Sequence, residues 1–151
     1  RRSEVVSLDI QDVDPFNRTI SVLGKGQLEK QSIRLPERTL AALTEWLEVR
    51  GTEPGPLFHN LHRDRNVSGK RLTDKAVYRI IQAFGEKTNQ RVTPHGLRHT
   101  AITTAVERAQ EADIDLSKVL QFSRHANLST LQIYAANHED WQGRVAELVA
   151  K

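Results

Sequence analysis

The sequence lacks several features that would place it in a specialised class of protein. It has no cysteine, which excludes disulfides, thiol catalysis and cysteine-ligated metal sites. No apolar run approaches the roughly 18–20 residues of a membrane span, and no stretch has the pattern of a secretion signal. Methionine is also absent, even at position 1, so we expect the 151 residues to be a piece of a longer protein. With 38% hydrophobic and 27% charged residues, the composition is that of one globular domain.

Positive charge is concentrated in one third of the chain. The formal net charge is +3, but residues 57–110 alone hold 10 Lys/Arg against 4 Asp/Glu. Residues 1–56 (8 against 9) and 111–151 (4 against 6) are slightly acidic. This distribution favours a surface that faces nucleic acid, although a solvated basic face without a partner gives the same pattern. The side chains that we assign to DNA contacts are Arg63, Arg65, Lys70 and Arg71.

The periodicity of apolar residues predicts a mainly α fold (α+β) with a small three-stranded antiparallel sheet. Alternating apolar residues predict a β-hairpin over residues 18–35, with Lys25 between two glycines at its tip. We assign Leu57-Phe58 to a short third strand and residues 59–71 to a polar loop. Helical spacing and capping residues predict helix over residues 3–8, 36–50, 75–87, 94–109, 116–122, 128–135 and 140–150, with Thr73-Asp74 as the cap of the third.

The densest group of polar side chains is Thr93-Pro94-His95-Gly96-Leu97-Arg98-His99. It lies at a predicted helix N-terminus, where free N–H groups and the helix dipole favour an anion. His95 and Arg98 are three residues apart and share a face, so both could bind one phosphate. His95 and His99 at i, i+4 could instead bind zinc, but Arg98 would place a fixed positive charge beside the metal. A capped helix with a hydrogen-bonded histidine is the structural alternative.

Lys25 and Tyr134 are further candidates for chemistry, and each has an ordinary alternative. Glycines on both sides let the backbone turn tightly and direct Lys25 outward, as they would for a merely solvated lysine. The Tyr134 phenol is only about 0.1% ionised at pH 7, so a nucleophilic role requires a base or nearby positive charges. The alternative for Tyr134 is a half-buried aromatic residue with a hydrated hydroxyl.

Taken together, these motifs resemble the catalytic domain of the tyrosine recombinases, also called phage integrases. The order is Arg-x-Ser-Glu at the start, Gly-Lys-Gly on a hairpin, His-x-Leu-Arg-His at a helix start, and His125 with Tyr134 nine residues later. The resemblance covers essentially all 151 residues, as a fragment without the family's N-terminal DNA-binding domain and first catalytic helices. One departure is Ser123-Arg124-His125, where the family commonly has Leu-Gly before the histidine. Arg124 must therefore tolerate a left-handed helix end or reshape that turn.

The resemblance implies that three cations act on the scissile phosphate of DNA. Arg1 matches the first catalytic arginine and Arg98 the second, and both bind the non-bridging oxygens. Lys25 matches the hairpin lysine that protonates the leaving 5′ oxygen. Two arginines stabilise the charge that gathers on the phosphoryl oxygens, so we expect no metal and no cofactor.

The remaining roles also follow from the resemblance. His95 matches an acid/base near the nucleophile, and His125 matches a donor to the phosphate. Tyr134 matches the nucleophile that forms a 3′-phosphotyrosyl bond. Glu4 and His99 match supporting positions that orient the site.

The resemblance predicts a cytoplasmic, DNA-associated protein of bacterial or phage origin that recombines specific sites. Its expected partners are double-stranded DNA and three further copies, in a homotetramer on DNA without membrane contact. In that assembly, a predicted helix at residues 139–150 would dock on a neighbouring protomer. A type IB topoisomerase-like enzyme and a DNA-binding module that has lost catalysis are the alternatives.

Overall fold

The computed structural model describes residues 1–61 and 67–124, together with Ser129 and Leu131. The chain forms two compact units, Arg1–Pro94 and His95–Lys151. The helices in the described residues are α1 (Arg2–Ser7), α2 (Glu37–Arg50), α3 (Asp74–Lys87), α4 (Pro94–Glu111) and α5 (Leu116–Ser123). The strands there are β1 (Val13–Asp14), β2 (Thr19–Leu23), β3 (Lys30–Arg34), β4 (His59–Leu61) and β5 (Val67–Arg71). A short 3-10 helix, Ile10–Asp12, precedes β1.

The predicted fold class is confirmed, because the described residues are mainly helical with a small three-stranded antiparallel sheet of order β1-β2-β3. The central pair β2-β3 forms the predicted hairpin, with Ile20 opposite Ile33. The third strand, however, is Val13–Asp14, which pairs with the other edge of β2. Leu57-Phe58 is not this strand, so that assignment was wrong.

Residues 59–61 and 67–71 form strands and not the polar loop that we predicted for 59–71. β4 and β5 pair antiparallel as a separate two-stranded sheet, with His59 opposite Arg71. This strand pair was not predicted because both strands are short and lack the alternation of apolar and polar residues that indicates a strand in a sequence. The amide of Leu72 donates to Phe58 O at 2.8 Å and extends the pairing by one bond.

Local capping residues set the ends of the helices. The Thr73 hydroxyl accepts from the amide of Ala76 at 3.1 Å and starts α3, as the sequence predicts. Asp115 caps α5 by accepting from the amide of Ser117 at 2.7 Å. α2 ends at Gly51, whose φ of 82° is readily adopted only by glycine.

Each unit has its own apolar core. In Arg1–Pro94, the fully buried Leu57 lies among three further buried residues, Leu8, Val22 and Leu43. Trp46 packs against this core. Its Nε1 donates to Leu57 O at 2.8 Å, and its ring centroid lies 6.2 Å from that of Phe58. The core of His95–Lys151 consists of Ile102, Val106, Ala109, Val119 and Leu131. Among the described residues, no helix is both long enough and apolar enough to cross a membrane.

Candidate active site

Arg1 is held by a buried carboxylate from its own helix. Its Nη1 donates to Glu4 Oε1 at 2.7 Å, and its backbone nitrogen donates to Glu4 Oε2 at 3.1 Å. Glu4 is only 5% exposed, whereas the Arg1 side chain keeps 35% of its surface exposed. A buried carboxylate requires a partner of opposite charge, so this pair fixes the guanidinium at the start of α1. The supporting position predicted for Glu4 therefore lies in direct contact with Arg1.

Lys25 lies on the connection between β2 and β3. The amide of Gln27 donates to Gly24 O at 3.1 Å, which closes a four-residue turn with Lys25 in its second position. Gly26, in the third position, has a φ of 76°, a conformation that costs glycine no steric penalty. The Lys25 side chain is exposed, as the flanking glycines predict.

A partly buried ion pair links the hairpin to the residues before β1. Lys30 Nζ, at the first residue of β3, lies 2.5 Å from Asp12 Oδ1. The Asp12 carboxylate is 5% exposed and also accepts from the amide of Asp9 at 2.9 Å. This pair could not be predicted from the sequence, because its partners are 18 residues apart and belong to different elements.

The cluster of polar side chains at residues 93–99 forms the beginning of α4. Pro94 is the first helical residue, which agrees with the predicted start. The His95 and His99 side chains are exposed, while Arg98 is half-buried. His95 and Arg98 thus lie one turn apart in the first half of the helix, in the i, i+3 relation that the sequence predicts.

Arg98 is anchored at the end of α5. Its Nη2 donates to Ser123 O at 2.6 Å, and Ser123 is buried. This carbonyl belongs to the last turn of a helix, where carbonyls lack intrahelical partners and the dipole favours a cation. The bond sets the plane of the guanidinium fork, and nothing in the sequence pattern indicated it.

The helix end at Arg124 keeps its left-handed turn, although arginine stands where the family commonly has glycine. Arg124 adopts the left-handed conformation itself, with φ 52° and ψ 39°, and its amide donates to Leu120 O at 2.9 Å. The turn is therefore kept and not reshaped. The left-handed region is unfavourable for a residue with a Cβ, so this conformation carries strain of about 1–2 kcal/mol.

Several predicted site residues lie outside the described residues. These are His125, Tyr134, Arg63, Arg65 and the predicted helix at 139–150. Their roles stay predictions. Within the described residues, no group of three or more His, Asp or Glu side chains could hold a metal ion.

Arg71 and Lys70, the other residues assigned to DNA, lie at the end of β5. Lys70 is exposed. Arg71 contacts the protein, because its Nη1 donates to Val6 O at 2.7 Å and to Leu8 O at 3.0 Å. Its Nη2 lies 2.5 Å from Asp9 Oδ1. Its assignment to DNA stays a prediction, but these contacts give it a structural task as well.

The chain belongs to the phage integrase family, whose sequence pattern matches residues 1–140. It is 37% identical over 154 residues to a tyrosine recombinase of Synechocystis sp., covering 99% of this chain and 48% of that protein. It is 33% identical over 134 residues to the tyrosine recombinase XerA of Pyrococcus furiosus, covering 89% of this chain and 44% of that protein. The chain thus spans about half the length of the curated relatives it matches.

Solved structures share this fold. The crystal structure of a XerA recombinase superposes with a TM-score of 0.70 at 27% identity, covering 100% of this chain and 53% of that one. A XerH site-specific recombinase bound to its palindromic difH substrate, in a post-cleavage complex, superposes with a TM-score of 0.72 at 24% identity. It covers 100% of this chain and 42% of that one.

Proposed function

We propose that this protein is a tyrosine-type site-specific recombinase that cuts and rejoins DNA through a covalent 3′-phosphotyrosyl intermediate. The observation that supports the proposal is the family match over residues 1–140, a range that contains all six residues to which we assign catalytic roles. The covalent step conserves the energy of the phosphodiester, so the strand can be rejoined without ATP.

Arg1 and Arg98 bind the non-bridging oxygens of the scissile phosphate. Each guanidinium is a permanent cation with a planar fork of N–H donors that suits a phosphate. Each is supported from within its own unit, Arg1 by Glu4 and Arg98 by the carbonyl of Ser123. Donors that are already oriented stabilise the negative charge of the transition state without reorganising during the reaction.

Tyr134 supplies the nucleophile. Its phenolic oxygen attacks phosphorus as the bond to the 5′ oxygen breaks, and the phenolic proton passes to His95 as general base. Lys25 gives a proton to the leaving 5′ oxygen from its exposed hairpin tip, and His125 donates a hydrogen bond to the phosphate. The exposure of Lys25 and His95 leaves both accessible to a DNA strand.

The nucleophile is tested by covalent trapping on a nicked suicide DNA substrate. The chain has only two tyrosines, Tyr78 and Tyr134, so Tyr78→Phe is a matched control. Tyr78 lies in α3 with the Arg2 guanidinium 5.5 Å from its ring centroid, and phenylalanine keeps that ring. We expect Tyr134→Phe to abolish the covalent adduct with DNA affinity nearly unchanged, whereas Tyr78→Phe still forms it. An adduct that survives Tyr134→Phe would show that the nucleophile is misassigned.

The complete reaction requires two DNA sites and, we propose, four copies of the protein. A strand-exchange assay with two differently labelled sites separates this activity from topoisomerase-like relaxation, which needs one duplex. We expect recombinant products, and a synaptic complex whose mass corresponds to four protomers and two duplexes. Relaxation of supercoils without exchange would contradict the proposal.

A further inference from the structure

We infer that Arg71 is a positioning residue for Arg1, and that it acts by fixing the C-terminal end of α1. The inference rests on the proposed function, in which Arg1 binds the scissile phosphate. It assigns to Arg71 a task in the reaction that requires no contact with DNA.

Arg71 bridges β5 to the residues that end α1. One guanidinium nitrogen donates to two carbonyl groups at that end, Val6 O at 2.7 Å and Leu8 O at 3.0 Å. The other lies 2.5 Å from the Asp9 carboxylate, just beyond the helix. These three contacts join residues more than 60 positions apart in the sequence. The planar fork of arginine can make them together, whereas a lysine ammonium has no such geometry.

α1 depends on such an anchor because it is only six residues long. An isolated helix of this length is unstable in water, so its position must come from contacts with other elements. The last carbonyls of a helix lack intrahelical partners and carry partial negative charge, which a guanidinium neutralises. The amide of Leu57 supplies a second bond to Leu8 O at 2.8 Å, and Arg2 pairs with Asp74 at 3.2 Å.

Loss of the Arg71 contacts would shift the C-terminal end of α1, and Arg1 lies close enough to be displaced with it. Val6 follows Arg1 by five residues, a distance of about 7.5 Å along a helix axis. The buried Glu4, which holds the Arg1 guanidinium, lies between them on the same helix. Because Glu4 lies in this six-residue helix and Arg1 is its N-cap, a shift at the C-terminal end would displace both residues. A misplacement of about 1 Å at a reacting group can reduce a rate by about 100-fold.

The competing interpretation is that Arg71 binds a DNA phosphate. Affinity for DNA falls with salt, and removal of one phosphate contact makes the plot of log affinity against log salt concentration shallower by about 0.9. A positioning role leaves this slope unchanged, because the residue stays on the protein. A slope that falls by about 0.9 in Arg71→Ala would therefore overturn the inference.

The decisive experiment measures single-turnover cleavage in the complete protein at saturating DNA, as a double-mutant cycle. Arg71→Ala is made in the wild type and in Arg1→Lys, which keeps a cation at position 1. We expect a loss of about tenfold in the wild type and less than about twofold in Arg1→Lys, since residues that act through each other are not additive. Equal losses in both backgrounds would show that Arg71 acts independently of Arg1, and would overturn the inference.

Lys87→Ala is the matched control, because it also removes one cation from the same unit, where its Nζ lies 5.5 Å from the centroid of the Phe84 ring. We expect it to cleave at the wild-type rate. Hydrogen exchange adds a direct readout: the amides of α1 should exchange faster in Arg71→Ala, while those of α2 keep their protection. Unchanged exchange in α1 would overturn the inference.

The outcomes for the two proposals are distinct. A wild-type protein that forms no covalent adduct would overturn the proposed function, and the positioning role with it. A wild-type protein that cleaves, with Arg71→Ala cleaving equally fast, would overturn the positioning role alone.

Discussion

Gly85 provides a sharp test of how the loop before α4 is placed. It lies in the last turn of α3 and is buried. A Cβ at this position would lie 2.5 Å from Gln90 O and 3.0 Å from the Val92 side chain. The same loop is tied to Gly85 by a bond from the amide of Gln90 to Gly85 O, at 2.9 Å. The substitution Gly85→Ala therefore forces backbone, and not a flexible side chain, to move.

The expected change in the free energy of unfolding is the sum of one favourable and two unfavourable effects. Alanine is favoured over glycine in a helix by about 1 kcal/mol. Against this, overpacking costs about 1–3 kcal/mol, and a weakened Gln90 hydrogen bond costs about 1 kcal/mol more. We expect Gly85→Ala to lower the free energy of unfolding by about 2 kcal/mol, and the melting temperature by about 4–8 °C.

The assay is thermal and urea unfolding followed by circular dichroism. Ala83, two residues earlier on the same helix, is exposed and supplies the control. Ala83→Gly should also destabilise, by up to about 1 kcal/mol, because only helix propensity acts there. Glycine is thus the better residue at 85 and alanine at 83. If Gly85→Ala were more stable than the wild type, the close approach of Gln90 to α3 would be refuted.

Two further predictions concern charge. Burial lowers the pKa of His59, and the nearby Arg50 guanidinium is the next cause of the shift. The unfolded chain therefore takes up more protons at this histidine than the folded chain does. The contribution of His59 to the free energy of unfolding is thus fully present above the unfolded pKa of about 6.5 and is lost as the pH falls. His59→Gln should accordingly lose less unfolding free energy than the wild type between pH 7.5 and 5.5 in urea titrations, and parallel losses would contradict the assignment. DNA binding should weaken steeply with salt, and Lys70→Ala should reduce the slope of log affinity against log salt by about 0.9; an unchanged slope would remove Lys70 from the DNA surface.

Local signals in the sequence predicted those parts of the fold that local interactions determine. The glycines around Lys25 require a tight turn, and the Thr73 hydroxyl starts α3, so both features were predicted correctly. Arg124 was also identified as a residue that must accept a left-handed turn or change it, because a helix end favours glycine there. Each of these signals is contained within a few consecutive residues.

Contacts between distant residues were not predictable in this way. The β4-β5 pair contains no apolar alternation, and its last residue, Arg71, contacts residues more than 60 positions away. The ion pair of Lys30 with Asp12 and the bond of Arg98 to a main-chain carbonyl have no sequence signature either. A carbonyl group is present at every residue, so only the fold determines which one an arginine will meet.

The contact between Glu4 and Arg1 determines what Arg1 can contribute to the proposed reaction. Glu4 is a full carboxylate and is only 5% exposed, so much of the positive charge of Arg1 is balanced by its own helix. The value of Arg1 then lies less in its net charge than in the direction of its guanidinium donors, which the same carboxylate sets. We therefore expect the contribution of Arg1 to depend mainly on its orientation, which gives the anchoring of α1 its importance.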